Sequence, residues 1–242
     1  MVYITVGWMD TSSKTFQQSK ELSRLSKKAC NFTNNKFRYM KTILHLCADT
    51  GSDTKQYKDN GYNVILVGSK IGVENYHPPK DVYGIIANPP CTNFSSVRTM
   101  AKIPRNEEEG MRLVIECQRI IKEAGNVKFW VIENPATGLL KKYLGKPKFT
   151  YQPWQFGSPW TKRTALWGKF NEPKILFKKW EEVTVNPNLY IRPGRDKCNM
   201  VYLHKSSIKY IPEFSCFKVD NDMDFRSLCS QNFAKEFYKI NK

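Results

Sequence analysis

Cys91 follows directly on Asn88-Pro89-Pro90 in the stretch IIANPPCTNFSS, residues 85–96. A thiolate adds to electron-poor carbon and can leave again, so a lone cysteine on a stiff turn is a candidate nucleophile. The two prolines restrict the backbone and hold the sulfur where the fold puts it. The alternative is a small buried hydrophobe, which describes most cysteines. Three further segments carry side chains that could join it: CADTGS at 47–52, ENPATG at 133–138 and KRTALWG at 162–168. Taken singly, each has an ordinary reading as a glycine turn, a capping carboxylate or a basic strand entry. Their order along the chain is the informative feature.

The elements that must position these residues alternate in type. TILHLCA is a short apolar run that ends at the Asp49-Thr50-Gly51-Ser52 turn. DTKQYKDNGY predicts a polar helix, and NVILVG a second strand ending at Gly68-Ser69-Lys70. DVYGIIA predicts a third strand ending at Asn88-Pro89, GMRLVIECQRIIKEAG an amphipathic helix, and VKFWVIE a fourth strand ending at Glu133-Asn134. Strands alternating with helices predict an α/β fold, a Rossmann-like and mainly parallel doubly wound sheet. Such sheets bind ligands outside the carboxyl ends of their strands, and the three candidate turns all begin where a strand ends. The aromatic stretch at 149–181 contains Trp154, Trp160 and Trp167, expected to pack the core, and SQNFAKEFYKINK predicts a closing helix. The expected organisation is a basic N-terminal extension at 1–39, a catalytic core at 40–181 and a short region at 182–242 completing that core.

Composition narrows the partners. The formal charge of +17 is commonly met where the partner is polyanionic, and points to nucleic acid over a free nucleotide. A lysine-rich composition inherited from an AT-rich genome is the alternative source of that charge. The helix expected in TSSKTFQQSKELSRLSKKAC, capped by Thr11 or Ser12, reads equally as a basic arm or a solvated surface. No apolar run approaches the roughly eighteen residues a membrane span needs, and the first ten residues are too polar for a signal peptide. Seven cysteines, an odd number with no CxxC pair, argue for reduced thiols and a cytoplasmic setting, the host cytoplasm if the protein is virus-encoded. With only three histidines and none beside a cysteine pair, no metal site is expected.

In this order the segments resemble the cytosine-5 DNA methyltransferases, especially the compact bacteriophage members that lack a large target-recognition domain. The resemblance covers roughly residues 41–170, with a fainter echo at 226–242. It implies S-adenosylmethionine as cofactor, with His45, Cys47, Asp49, Thr50, Gly51, Ser52, Gly68, Ser69, Asn88 and Pro89 around it. It implies Cys91 as the nucleophile, Glu133 as the acid, Asn134 as a holder of the ring or loop, and Arg163 as the cation that orients Glu133. The implied reaction is methyl transfer to C5 of cytosine in DNA, duplex with base flipping or single-stranded, through a covalent adduct of Cys91 with C6.

The chain departs from that family where acids usually meet the cofactor. His45 stands on the first strand, Gly68 ends the second, and Gly72 occupies a third acidic position with Glu74 nearby. Charged hydrogen bonds are worth about 1.5–3 kcal/mol each, so their loss implies altered cofactor binding, a modified methyl donor suited to Lys70, or an inactive methyltransferase fold that binds nucleic acid. Asn88-Pro89-Pro90 also resembles the amino-methyltransferases, whose next residue is an aromatic that stacks on the base. Here that residue is Cys91, with Phe94 the nearest ring. Only about eighty residues follow Arg163, which leaves sequence-specific duplex reading without an obvious module.

Overall fold

The computed structural model describes residues 40–96 and 103–242; the basic extension at 1–39 and residues 97–102 lie outside them. Five residues, Thr42–Leu46, form β1, every one of them buried, with Ile43, Leu44 and Leu46 apolar. Cys47 ends it by turning into the left-handed region at φ 55. A 3-10 turn at Ser52–Thr54 leads into the one-and-a-half-turn helix α1, Lys55–Asp59, shorter than the polar pattern predicts. β2 is Asn63–Val67 and β3 is Val82–Ala87. The long helix α2, Glu107–Ala124, is capped by the Asn106 side chain, which accepts from the Glu109 amide at 3.0 Å. Three glutamates in its first turn complement the helix dipole.

β4, Phe129–Pro135, carries Glu133 and Asn134 on its last residues. The short helix α3, Lys141–Leu144, precedes β5, Phe149–Tyr151, and β6, Thr164–Lys169. The six strands form one sheet in the order β2-β1-β3-β4-β6-β5. β1 to β4 are parallel to one another, whereas β6 runs antiparallel to both β4 and β5. The sheet is therefore mixed but mainly parallel, in agreement with the expected α/β class.

Alternation along the strands divides the core in two. Leu44, Leu46, Ile85, Ala87, Ile132, Ala165 and Trp167 face α2 through Val114, Cys117 and Ile120. Ile43, Ile86, Phe129, Val131 and Leu166 face Tyr57 of α1 and Phe233, Ala234 and Phe237 of α5, Gln231–Asn241. Both faces of the sheet are covered. Residues 182–230 do more than finish the sheet: with Trp160 they build a third cluster from Leu189, Met200, Leu203, Ile211, Phe214, Phe225 and Leu228. This segment is mostly 3-10 turns, with the short helix α4, Asp222–Ser227, near its end. Trp160 and Trp167 pack inside as expected. Trp154 does not; it is half-exposed, edge-on to Trp180.

The turn after β3 is docked rather than loose. Phe94 is fully buried, and a Cβ on Gly110 of α2 would come within 2.8 Å of its ring and 2.9 Å of the Asn93 Cβ. Alanine in place of a helix-interior glycine ordinarily stabilises by about 1 kcal/mol. At Gly110 the sign reverses: Gly110→Ala is expected to lower the denaturant-unfolding free energy by about 1–2 kcal/mol, because Phe94 must shift in a packed core. A gain in stability would show that the turn is not held by this contact.

Candidate active site

In the strand order β2-β1-β3-β4 the chain moves to one side of β1 and then to the other, so the carboxyl ends of β1 and β3 flank the crevice where open α/β sheets take ligands. His45, Asn88 and Glu133 lie there on neighbouring strands and on one face. Asn88 is the junction. Its amide nitrogen donates to Asp53 Oδ1 at 3.3 Å and to Glu133 Oε2 at 3.1 Å, and its Oδ1 faces His45 Nε2 at 2.8 Å. An amide with both hydrogens directed at carboxyl groups must present its oxygen to the histidine, so Nε2 carries a proton. His45 is almost fully buried, and burial holds its pKa below the ordinary value against the opposing pull of Asp53. The Thr54 hydroxyl lies 3.1 Å from Nδ1 and 3.2 Å from the Gly51 carbonyl, within hydrogen-bond reach of both.

Glu133 is half-buried, and burial raises its pKa; Asp53 adds to the rise, whereas Lys162 and the Asn88 amide oppose it. Cys91 sits half-buried at the start of a 3-10 turn, Cys91–Asn93. Burial raises its thiol, nearby Glu133 raises it further, and Lys162 pulls it down. The two groups are thus close enough to feel one another and the same ammonium. Asn134, on the opposite face of β4, donates to the Pro89 carbonyl at 2.9 Å and fixes the proline turn that carries the thiol. Its Oδ1 is buried with no partner among the described residues.

The cation is where the sequence reading missed. Arg163 is exposed, and its backbone carbonyl accepts from the Ala136 amide. β4 and β6 pair with Glu133 opposite Leu166 and Pro135 opposite Thr164. Continuing that alternation puts Lys162 on the face that Glu133 shares and Arg163 on the other. The signal was present in the KRT order but depends on the antiparallel register. Asp53 and Cys229 were also missed. The Cys229 amide donates to Ser52 Oγ at 3.0 Å, and the Gln231 side chain donates to the Ser52 carbonyl at 3.0 Å, so the entry to α5 closes over the first turn. A cavity of about 20 Å³ between Asp53, Glu133, Tyr151, Cys229 and the phenylalanines of α5 has room for a single water.

The remaining cofactor candidates divide into two groups. Asp49 is exposed, and its Oδ1 accepts from the Ser69 amide and hydroxyl at 2.8 and 3.0 Å, joining the turns after β1 and β2. A Cβ on Gly68 would lie 2.2 Å from that same oxygen, so the place of a side chain at 68 is taken by the Asp49 carboxylate. Thr50 Oγ1 and Ser52 Oγ are 3.4 Å apart beside Gly51, which adopts φ 68. Cys47, by contrast, points its sulfur toward Cys117 at 3.7 Å. Glu74 is engaged by Arg112 at 2.8 Å. Fully buried Phe94 is in no position to stack on a base.

No family model matches the sequence, and no curated protein does either. Among the described residues no group of three or more His, Cys, Asp or Glu side chains is arranged to hold a metal ion, and no helix is long and apolar enough to cross a membrane. A cavity of about 840 Å³ lies at the other edge of the sheet, between the starts of β3 and β4 and the ends of β6 and α5. Four lysines line it, at 128, 148, 169 and 242, with no carboxylate side chain, and it holds none of the candidate residues.

Two measurements check this electrostatic arrangement. Alkylation of Cys91 by iodoacetamide is expected to accelerate in Glu133→Gln, which removes a negative neighbour, and to slow in Lys162→Met; equal rates would place the three groups apart. Glu133 has a raised folded-state pKa, so its protonation favours the folded form. That contribution is present below the ordinary carboxyl range and is lost as pH rises through the raised value. The unfolding free energy of wild type relative to Glu133→Gln should therefore fall as pH rises above the ordinary carboxyl range. A flat difference would contradict the burial.

Proposed function

We propose that this chain transfers a methyl group from S-adenosylmethionine to C5 of cytosine in DNA through a covalent adduct with Cys91. One observation carries the reading: Cys91, Glu133 and Lys162, from three separate segments, are near enough to influence one another electrostatically at the carboxyl edge of a mainly parallel sheet. A likeness of fold alone would not suffice, since one fold hosts many chemistries.

Cytosine C5 is a weak nucleophile until C6 is attacked. The Cys91 thiol releases its proton to water, its sulfur bonds to C6, and the C5–C6 π pair shifts through C4 toward N3. Glu133, whose carboxyl is inclined by burial to hold a proton, donates to N3 as that charge develops. Lys162, in place of the guanidinium expected at 163, balances charge around both groups and orients Glu133. Asn134 keeps the proline turn rigid through Pro89, and Asn88 holds Glu133 in place. S-adenosylmethionine, when bound, supplies an electrophilic methyl group at C5. The C5 proton then passes to water, its bonding pair restores the C5–C6 double bond and expels the Cys91 thiolate, and the N3 proton returns to Glu133. The thiolate regains a proton from water, so one proton is released overall.

The turns fit that cofactor in one respect the sequence obscured. Gly68 ends β2 without an acid, yet the Asp49 carboxylate already stands over it. Asp49, Gly51 and Ser69 are accordingly the residues to hold the cofactor's ribose and backbone. Asp49→Ala should weaken S-adenosylmethionine binding about tenfold or more by calorimetry; unchanged affinity would remove Asp49 from the site.

Labelled methyl transfer to cytosine-containing DNA tests the function directly. Cys91→Ala should fall to background and Glu133→Gln should lose about 10²-fold or more. Lys162→Met should lose more activity than Arg163→Ala. Full activity in Cys91→Ala would end the proposal. A second reading, a methyltransferase fold that binds nucleic acid without turnover, is favoured by His45, which is buried, neutral and already bonded to Asn88 and Thr54. Salt-dependent DNA binding with no heat from S-adenosylmethionine or S-adenosylhomocysteine would support it.

A further inference from the structure

Trp154 and Trp180 form a half-exposed pair with ring centroids 6.4 Å apart and planes at 79°. The ammonium of Lys197 lies 5.6 Å from one centroid and 5.8 Å from the other. Backbone continuity ties this cluster to the active site. The Thr161 amide donates to the Cys198 carbonyl at 2.8 Å, and the Met200 amide donates to Thr161 at 3.1 Å. The next residue, Lys162, acts on Cys91 and Glu133, and its amide donates to Gln152 Oε1 at 3.0 Å. Gln152 begins the 3-10 turn Pro153–Phe156 that carries Trp154. The Leu176 and Phe177 amides donate to the Gln155 carbonyl, anchoring the segment that carries Trp180. Around the pair, Lys178, Lys179 and Arg195 are exposed, as are the carboxylates of Glu181 and Asp196, while Glu182 accepts from the Lys178 and Lys179 amides.

Half-exposed indoles beside exposed lysines suit a strand whose bases are unstacked and whose backbone is anionic. Duplex DNA offers the phosphates but keeps its bases in the stack. We propose that Trp154, Trp180 and Lys197 form a platform for single-stranded DNA beside the catalytic cleft, where a base flanking the target stacks on an indole and Lys197 meets the neighbouring phosphate. This rests on the methyltransferase reading for its choice of nucleic acid and gives the segment after β6 a part in holding substrate.

The test is fluorescence anisotropy with a labelled twelve-nucleotide single-stranded DNA, its duplex and the RNA of the same sequence, using the full chain without methyl donor. Trp180→Ala should weaken single-strand binding roughly tenfold, the size of one lost base–aromatic stack. Trp180→Phe should restore most of it. Lys197→Glu, at an exposed position that folding tolerates, should weaken binding, and Lys197→Ala should flatten the salt dependence by about one phosphate contact. Unchanged binding in Lys197→Glu and in a Trp180→Ala protein of normal thermal midpoint overturns the platform, as does tighter binding of the duplex or the RNA. The assay needs neither Cys91 nor the donor. Platform-dependent binding without methyl transfer therefore refutes only the function above, and methyl transfer with unchanged variant binding refutes only the platform.

Discussion

The carboxyl end of this sheet, where the candidate residues gather, depends on one neutral side chain. Asn88 divides its two N–H groups between Asp53 and Glu133 and gives its oxygen to His45. Without that amide two carboxyl groups would face each other with no donor between them, and a buried histidine would lose its partner. Unmet polar groups of this kind cost about 1–3 kcal/mol each, a large share of the 5–15 kcal/mol by which a domain is stable. The amide thereby lets acidic groups stand close together in partly buried surroundings, which is what keeps Glu133 inclined to hold a proton.

Fold and site are linked through strand alternation. The topological switch around β1 opens the crevice, and the parallel register of β1, β3 and β4 lines His45, Asn88 and Glu133 along one face. The antiparallel insertion of β6 beside β4 then brings Lys162 to that face. From the other side, the entry to α5 ties itself to Ser52 and shuts the space below. Cys91 is delivered separately, on a turn pinned by Asn134 at Pro89 and by Phe94 against Gly110. The reactive groups thus come from different elements but share one rigid support.

Much of this was legible in the sequence. Short apolar runs located four of the six strands, because a parallel sheet buried on both faces demands them, and the chemistry-bearing turns were visible as the polar residues ending those runs. β5 was not, since three residues carry no periodicity. Lys162 was hidden behind Arg163 because choosing between adjacent residues requires the register of a strand pair, which no local pattern encodes. Asp53 and Cys229 meet only through tertiary packing across most of the chain. Asp49 over Gly68 is similar: the space beside a glycine that ends one strand is filled by a carboxylate from another turn. The third cluster, built from residues 182–230, lacks helical or strand periodicity, so its apolar residues announced burial without announcing form.

The chemical account requires a thiol that adds to a pyrimidine and is returned only when C5 loses a proton. Fluorine at C5 removes that exit. Intact mass of the chain after incubation with S-adenosylmethionine and an oligonucleotide containing 5-fluorocytosine is therefore the most direct measurement. The account predicts a stable adduct carrying the oligonucleotide and one methyl group, mapped to Cys91 and absent from Cys91→Ala. An unmodified mass, or an adduct on another residue, would contradict it.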